Sequence, residues 1–336
     1  MVYEQNMNKA GFFTKILRTA RRVCGIITVP AVLMLTGCGL ISGIPAEKGP
    51  VTKNDFALNT FVNVTVYDSA DEELVQKAVD LCGEYEKIFS ATREDSELYR
   101  LNHRDTDTVT VSEELAHVIG TGLRFSELTG GRFDITVLPL KETWGFSADG
   151  EPDRVPDENA IREALGKISY RNVSVEGNTV SFSDRVTQID AGALAKGYIA
   201  DRIKEYLLEN GVHSAVINLG GNILCVGEKP DGSAFRIGIR KPFTENEVLE
   251  SLEIRDESVV TSGVYERYIE ADGKKYHHIL DTQTGYPVET ELLSASVICP
   301  DSELADVLST VCLCMGKEEG KRIAEEFGAR VIFAEK

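Results

Sequence analysis

The alternation of apolar and polar residues along the chain predicts many short strands set between longer amphipathic helices. Residues 61–67 alternate as a half-buried strand does, and residues 71–89 carry apolar side chains at helical spacing. A second helix is predicted over residues 112–129, because Ser112 is a favourable N-cap and Gly130-Gly131 follows the helical pattern. Shorter apolar runs predict further strands at residues 173–175, 180–182, 215–219, 223–226, 235–239, 252–254, 259–261, 265–269 and 294–298.

Strands outnumber helices in this order and do not alternate with them in regular βαβ units. Such an order favours an α+β fold with mixed or mostly antiparallel sheets and packed helices. The chain after the first 53 residues is long enough for one large, two-lobed domain over residues 54–336. A parallel, doubly wound nucleotide-binding sheet is not expected.

The first 37 residues are typical of a secretion signal. Five basic residues precede an apolar run over residues 23–35, which is shorter than the roughly 20 residues of a membrane-spanning helix. The run ends in small residues directly before Cys38, which resembles a bacterial lipoprotein signal in which that cysteine is lipidated. An uncleaved anchor helix is the alternative, and Pro30 within the run argues against it. We therefore expect a signal peptide over residues 1–37, a lipid-anchored tether over residues 38–53, and a protein held outside the cytoplasm at the bacterial cell membrane.

The rest of the chain is strongly acidic. The full chain has a net charge of −18, and removing the five basic residues and one acidic residue before Cys38 lowers it to −22. Nucleic acid is therefore not an expected partner, and neither is an anionic lipid surface lying flat against the protein. A phosphorylated ligand would need a divalent cation, a helix N-terminus or a few placed Lys and Arg side chains.

The stretch IDAGALAKGYIAD over residues 189–201 is the first candidate for a phosphate site. It contains Asp190, two glycines and Lys196 at the point where a strand pattern becomes a helical one. Amides at the start of a helix attract anions, and Lys196 adds a positive charge in the first turn. A glycine-eased turn with Lys196 paired to an acidic residue fits these residues equally well. The spacing excludes the GxxxxGK[ST] loop of triphosphate-binding proteins.

Residues 301–316, DSELADVLSTVCLCMG, predict a helix with Ser302 as its N-cap. Its apolar residues form one stripe, and Asp306 and Thr310 lie together on the opposite face because they are four residues apart. A carboxylate and a hydroxyl one turn apart suit a hard cation such as Mg²⁺, completed by water, backbone carbonyls and a ligand phosphate. The alternative is a polar helix face in contact with solvent.

The segment over residues 262–287 is rich in polar side chains and contains His277 and His278. Neighbouring residues of a strand point to opposite faces, so these two side chains cannot readily share a metal ion. His278 precedes a tight turn that begins near Asp281, where a positioned general base could lie. A pair of surface histidines before a hairpin is the alternative.

Together these stretches resemble the ApbE family of FAD:protein FMN transferases, in its lipoprotein form. The resemblance extends in order from about Leu58 to Met315 and consists of eight segments. These are LNTFVNVTVY, FSATREDSELYRLN, GGRFDITVLPL, IDAGALAKGYIAD, VINLGGNI, FRIGIRKP, VVTSGVYERYIEADGKKYHHILD with TGYP two residues later, and ADVLSTVCLCMG. The resemblance implies that residues 54–336 form the transferase catalytic domain.

The resemblance also implies an activity and a set of site residues. The enzyme would use Mg²⁺ to transfer FMN from FAD to a Ser or Thr hydroxyl of an extracytoplasmic flavoprotein, releasing AMP. His278 matches the family's catalytic histidine, and Mg²⁺ would bind the side chains of Asp306 and Thr310 and the backbone carbonyl of Ala193. FAD would contact Leu58, Thr92, Arg132, Phe133, Asp134, Asp190, Lys196 and Leu280. Leu58 and Thr92 stand where relatives often have Met and an aromatic residue, and Thr282 stands where Pro is usual.

Two other functions fit parts of this pattern. Some members of the family chiefly hydrolyse FAD to FMN and AMP with nearly the same residues, so water would replace the protein hydroxyl. A flavin- or solute-binding lipoprotein without catalysis belongs to a different class, and it would be expected to have two βαβ lobes joined by a hinge. For the transferase, the acceptor is expected to be a membrane electron-transport subunit.

Overall fold

A seven-stranded, fully antiparallel sheet forms the centre of the computed structural model. The structure describes residues 49–146, 154–244, 247–271 and 273–336, which belong to one compact unit. The predicted signal peptide, the lipidated Cys38 and the tether up to residue 48 lie outside the described residues. No helix among the described residues is long and apolar enough to cross a membrane.

The strands and helices of the described residues follow each other without a regular βαβ period. The strands are β1 (Val51–Ala57), β2 (Thr60–Val66), β3 (Thr108–Thr110), β4 (Val173–Glu176), β5 (Thr179–Phe182), β6 (Ser214–Leu219), β7 (Asn222–Gly227), β8 (Phe235–Arg240), β9 (Val248–Ile254), β10 (Ser258–Gly263), β11 (Tyr268–Ala271), β12 (Lys274–His277), β13 (Leu292–Cys299) and β14 (Arg330–Glu335). The α-helices are α1 (Glu72–Phe89), α2 (Glu97–Asn102), α3 (Glu113–Leu128), α4 (Leu138–Trp144), α5 (Glu158–Leu165), α6 (Ala195–Glu209), α7 (Ser302–Met315) and α8 (Lys317–Glu326).

The order of strands in the large sheet is β1-β2-β6-β7-β10-β13-β14. A three-stranded sheet, β3-β5-β4, and the hairpins β8-β9 and β11-β12 complete the strand pairing of the described residues. Hairpin β8-β9 covers one face of the large sheet, where Phe235 and Ile237 pack with Val259 and Ile298. The α+β fold with mostly antiparallel sheets is therefore confirmed.

Helices cover the other face of the large sheet and form the main core with it. Alternate residues of the strands, such as Val64 and Val260, contact the apolar stripes of α1, α6 and α7. The polar ends of the helices are capped as their sequences predict, because Asp71 accepts hydrogen bonds from two amides of α1 and Ser112 accepts one from α3. Burying each Val, Leu or Ile in this layer contributes roughly 1.5–3 kcal/mol.

Three predictions of local structure are wrong. Residues 265–267 do not form a strand, because the chain turns after Gly263 and β11 begins only at Tyr268. The N-cap of α7 is Asp301, whose carboxylate accepts from the amide of Leu304, rather than Ser302. The last residues of the predicted tether, 51–53, belong to β1, which is the edge strand of the large sheet.

Candidate active site

A cavity of about 800 Å³ opens at one end of the large sheet. Its wall comes from the turn between β1 and β2, the loop before α4, the start of α6, strand β10, the segment after β12, and α7. Every predicted site residue of the domain contributes to this wall, although these residues are spread over more than 250 positions of the sequence. They are Leu58, Thr92, Arg132, Phe133, Asp134, Asp190, Ala193, Lys196, His278, Leu280, Asp306 and Thr310.

Gly197 allows the start of α6 to lie directly against α7. A Cβ atom at this position would lie 2.2 Å from the carbonyl oxygen of Ser302 and 2.6 Å from the Cα of Glu303, both backbone atoms that cannot turn aside. Asp201, one turn further along α6, binds the amides of Ser302 and Glu303 at 2.9–3.1 Å. Burial raises the pKa of Asp201 to about 7, with Asp301 and Glu303 adding to the effect. The two helices are therefore held together at the cavity wall.

The contact between α6 and α7 places three oxygen donors in the cavity wall. The amide of Gly197, in the first turn of α6, has no acceptor within its own helix and donates to Oδ2 of Asp306 at 2.9 Å. Ala193 lies just before α6, and its carbonyl accepts no backbone hydrogen bond from the described residues. Thr310 lies one turn after Asp306, and its Oγ1 is 3.2 Å from Oγ of Ser262. A carboxylate, a free carbonyl and a hydroxyl are hard ligands of the kind that Mg²⁺ prefers.

Asp306 does not lie on a solvent-exposed face of α7. Its exposed fraction is 3%, and Leu313 on the same side of the helix is fully buried. The alternative of a polar helix face in contact with solvent is therefore wrong. Because a buried carboxylate is costly unless it is compensated, a single amide donor leaves Asp306 suited to a cation.

Asp190 at the start of the same segment forms an ion pair with Lys141 of α4, 2.8 Å between Oδ2 and Nζ. Its other oxygen accepts from the amide of Gly192 at 2.9 Å. Burial by itself would raise the pKa of Asp190, but Lys141 and the Gly192 amide outweigh it and the pKa is lowered. Lys196 lines the cavity and makes no ion pair with the described residues, so its charge is available to a ligand. Its charge also acts on the nearby carboxylates of Asp190 and Glu266, although neither lies close enough to form an ion pair with it.

His278, not His277, lines the cavity. Both the amide and Nδ1 of His278 lie near the carbonyl oxygen of Arg267, at 3.1 and 3.3 Å. Nδ1 can bond a carbonyl only as N–H, so the neutral ring keeps Nε2 as its acceptor nitrogen. Burial lowers the pKa of His278 to about 3, and the charge of Lys141 contributes to the shift. His277 ends strand β12, and its Nε2 lies 3.2 Å from the carbonyl oxygen of Val288.

The loop before α4 places Arg132 and Phe133 in the wall but uses Asp134 internally. The Asp134 carboxylate accepts hydrogen bonds from the amide and hydroxyl of Thr136 and from the amide of Tyr170. Burial raises the pKa of Asp134, although these hydrogen bonds act in the opposite direction. Asp134 therefore shapes the loop through its side chain, whereas Arg132 is exposed and has no ion pair among the described residues.

Leu58, Thr92 and Leu280 lie in three different parts of the wall. Leu58 occupies the two-residue turn of the β1-β2 hairpin with a φ of 56°, and its amide donates to Glu86 at 2.9 Å. Thr92 is exposed in the loop after α1. Leu280, two residues after His278 in the chain, is buried in a second apolar cluster around Trp144. These three side chains give the cavity wall a contact surface, but none of them has an aromatic ring that could stack on a ligand.

Several wall residues were not singled out as site residues from the sequence. Lys141 follows the recognised GGRFDITVLPL segment directly, but its role depends on Asp190, which lies 49 residues further on. Arg240 and Glu266 bring further charges to the wall, and Ser262 joins Thr310 to Ser309. Only the density of polar residues between positions 262 and 287 gave a signal for Glu266 in the sequence.

Comparison with known proteins assigns the chain to a family. The ApbE family profile matches residues 58–333. An FAD:protein FMN transferase of Klebsiella pneumoniae (strain 342) is 38% identical over 256 residues, which cover 75% of this chain and 78% of that protein. One of Treponema pallidum (strain Nichols) is 33% identical over 324 residues, which cover 90% of this chain and 89% of that protein.

Solved structures agree with this assignment. The flavin transferase ApbE from Vibrio cholerae superimposes with a TM-score of 0.78 at 30% identity, covering 85% of this chain and 94% of that one. The ApbE protein from Thermotoga maritima gives a TM-score of 0.78 at 33% identity, covering 84% and 94%. The match in sequence, in fold and in the order of the cavity segments leads to one conclusion: the chain belongs to the ApbE family.

Proposed function

We propose that the protein is an FAD:protein FMN transferase, which moves FMN from FAD to a Ser or Thr hydroxyl of another protein and releases AMP. The activity is the one for which its relatives are named. One observation carries the proposal: a neutral imidazole and a set of oxygen ligands suited to a cation lie in the same cavity wall. An anionic ligand in the cavity would contact both. Lys196 and Arg132 add unpaired positive charge to the same wall.

Mg²⁺ would be held by the Asp306 carboxylate, the Thr310 hydroxyl and the Ala193 carbonyl. The fit rests on the Asp306 carboxylate, which is buried with a single amide donor, and on the Ala193 carbonyl, which accepts no backbone hydrogen bond from the described residues. When bound, the ion would supply Lewis-acid stabilisation to the negative charge that develops on a pyrophosphate. The need for it follows from the charge of the protein, because a chain of net charge −18 disfavours an anionic substrate.

His278 is the proposed general base. The acceptor hydroxyl oxygen forms a bond to the phosphorus of the FMN half, while the bond from that phosphorus to the bridging oxygen of AMP breaks. The hydroxyl proton passes to Nε2 of His278, and AMP leaves as a phosphate monoester. The hydrogen bond from Nδ1 to the Arg267 carbonyl fixes the ring and its tautomer during this transfer. A neutral imidazole is required for this role, and burial keeps His278 neutral at physiological pH.

The remaining parts of the function concern location and partner. The lipoprotein signal and Cys38 support attachment to the outer face of the bacterial cell membrane. An acceptor in a membrane electron-transport complex would then be within reach of the tethered domain. The acidic surface argues against nucleic acid as a partner.

Hydrolysis of FAD to FMN and AMP is the second candidate. A base that removes a proton from a protein hydroxyl can also remove one from water, and the cavity is open to solvent. A flavin-binding lipoprotein without catalysis is disfavoured, because the large sheet is antiparallel and the described residues show no pair of βαβ lobes.

One incubation separates the candidates. The full-length protein is mixed with FAD, Mg²⁺ and a candidate acceptor domain, and the products are followed by in-gel fluorescence, intact mass and AMP release. A covalent FMN adduct on the acceptor supports the transferase. Free FMN with AMP in place of the adduct means a hydrolase, and unchanged FAD means a binding protein.

A further inference from the structure

A lysine held between two exposed aromatic rings lies beside the cavity but outside its wall. Nζ of Lys275 is 4.4 Å from the ring centroid of Phe243 and 4.5 Å from that of Tyr268. The two rings remain exposed, at 51% for Phe243 and 36% for Tyr268. We call these three residues the aromatic–lysine patch. Cation–π contacts of this kind hold a lysine in place while leaving part of its charge in solvent.

Phe243 follows Pro242 in a turn that the hydrogen bond from the amide of Thr244 to the carbonyl of Lys241 closes, and it takes the turn position with positive φ. Its φ is 59°, in the left-handed region that costs a non-glycine residue roughly 1–2 kcal/mol. Gly or Asn usually occupies such a conformation, whereas here it is occupied by Phe243, whose ring is exposed to solvent. Strained residues of this kind concentrate at functional surfaces.

The patch is continuous with the cavity wall. The ring of Phe243 lies 5.6 Å from that of Tyr265, and Arg240 lies 5.5 Å from the same Tyr265 ring. Tyr265 and Arg240 both line the cavity. On the other side, Tyr268 follows Arg267, whose carbonyl holds His278. A polypeptide on the patch would therefore lie next to the histidine side of the cavity.

The charge around the patch is opposite to that of the whole molecule. Lys275, Arg240 and Arg267 form no ion pair with the described residues, whereas the chain has a net charge of −18. Arg240 and Arg267 both act on the carboxylate of Glu266, which is one acidic group against two basic ones. Glu270 lies opposite Lys275 in the hairpin register, and Lys275 is nevertheless directed to the rings. An acidic polypeptide, which most of this surface would repel, meets unpaired cations here.

We infer that the aromatic–lysine patch docks an acidic segment of the acceptor protein beside its reacting hydroxyl. The inference rests on the proposed function, since only a transferase needs a polypeptide at the cavity. Aromatic side chains are enriched at protein interfaces, and Tyr is one of the residues enriched in interface hot spots. The ring and charge contacts would position the chain, and His278 and the cavity would supply the chemistry.

The test measures peptide binding apart from turnover. The probe is a fluorescein-labelled peptide with a central threonine flanked by aspartates, and its match has asparagines in place of the aspartates. Binding to the full-length, FAD-loaded protein is followed by fluorescence anisotropy without added divalent cation. Lys275→Gln removes the patch charge, and Phe243→Ser removes the exposed ring.

Lys274→Gln is the matched control, since it removes the same charge from the neighbouring position of β12. Lys274 lies over Tyr276 instead, 5.1 Å from its ring centroid. The expected result is that wild-type protein prefers the aspartate peptide by about fivefold at low salt, a preference that weakens with ionic strength. Lys275→Gln should abolish the preference and Phe243→Ser should weaken binding of both peptides, while Lys274→Gln retains both properties. FAD affinity should be unchanged in all three variants.

Other results would overturn the inference. Equal binding of the two peptides by wild-type protein would mean that the patch does not recognise acidic segments. A loss of FAD affinity in Lys275→Gln would make the patch part of the FAD site. Cosedimentation of wild-type protein, but not Lys275→Gln, with phosphatidylglycerol vesicles and not with peptide would make it a membrane contact. AMP release from FAD with Mg²⁺ is measured separately, so that a failure of the proposed function is recognised independently of peptide binding.

Discussion

Replacing Gly197 with alanine perturbs the contact on which the proposed metal site depends. The added Cβ would lie 2.2 Å from the Ser302 carbonyl oxygen, against 3.4 Å or more for an ordinary contact, so α6 and α7 must separate by about 1 Å. A functional site tolerates displacements of only about 0.5 Å. The hydrogen bond from the Gly197 amide to Asp306 would be lost, and the Ala193 carbonyl would move away from the carboxylate.

The expected magnitudes follow from these contacts. Overpacking costs about 1–3 kcal/mol and a lost hydrogen bond to a charged group about 1.5–3 kcal/mol, so the free energy of unfolding should fall by roughly 2.5–6 kcal/mol. For a domain of this size that corresponds to a fall in Tm of roughly 4–10 °C. Loss of a hydrogen-bond partner behind a metal ligand should raise the Mg²⁺ concentration for half-maximal AMP release about 10- to 100-fold.

Gly320→Ala is the matched control. A Cβ at Gly320 would lie 2.6 Å from the Cα of Cys312, so it overpacks the same helix α7 from the side of α8, away from the cavity. This variant should lose stability by overpacking but keep its Mg²⁺ dependence. Thermal unfolding and Mg²⁺ titration of AMP release are measured on both variants. A Gly197→Ala protein with the Mg²⁺ dependence of wild type would refute the role given to this contact.

Three further predictions follow from the charged groups of the site. Lys141→Met should destabilise the protein by about 3 kcal/mol in chemical denaturation, because it leaves the Asp190 carboxylate buried without its cation. Adding Asp190→Asn should restore part of this stability, and no recovery in the double variant would contradict a direct pairing of the two side chains. Asp306→Asn should remove Mg²⁺-dependent AMP release while FAD still binds in fluorescence titration, and unchanged activity at low Mg²⁺ would remove this residue from the site. Folded-state pKa values of about 4 for His277 and about 3 for His278 lie below the ordinary value, so at these two sites the unfolded chain binds more protons below about pH 6.5 and stability is lost as pH falls from there to about 4. Asp201, with a pKa raised to about 7, contributes in the opposite direction over this range, so the test compares variants. The contribution of His277 should be missing in His277→Gln, so the change in Tm from about pH 6.5 to about pH 4 should be less favourable for the wild type than for this variant, and an identical pH dependence in both proteins would show that His277 does not contribute.

The sequence predicted best those elements whose signals are local. Helices α1 and α3 have an N-cap, helical spacing and a stop within their own residues, and the structure confirms both. The strand predicted at residues 265–269 begins three residues too early, because the amide of Val264 is bound to the carbonyl of Leu293, far away in the sequence, and the chain turns before β11 begins at Tyr268. Strand β1 was missed because its exposed, polar residues at the edge of the sheet resemble a tether.

The site was predictable in its residues but not in its contacts. Family resemblance supplied twelve positions, and all of them line one cavity. That Asp306 is buried rather than solvated could not be read from α7, because the partner that buries it is the start of α6. Asp306 binds the Gly197 amide 109 residues away, and Asp190 binds Lys141 49 residues away. Helical periodicity gives no information on contacts between residues so far apart in the sequence.

The most direct test of the account is a crystal structure of the protein with FAD and Mn²⁺ in place of Mg²⁺, with the metal located by anomalous diffraction. We predict an anomalous peak bound by the Asp306 carboxylate, the Thr310 hydroxyl and the Ala193 carbonyl, with the FAD pyrophosphate on the same ion. We also predict that Nε2 of His278 faces the phosphorus of the FMN half. A metal bound elsewhere, or a pyrophosphate out of reach of His278, would contradict the account.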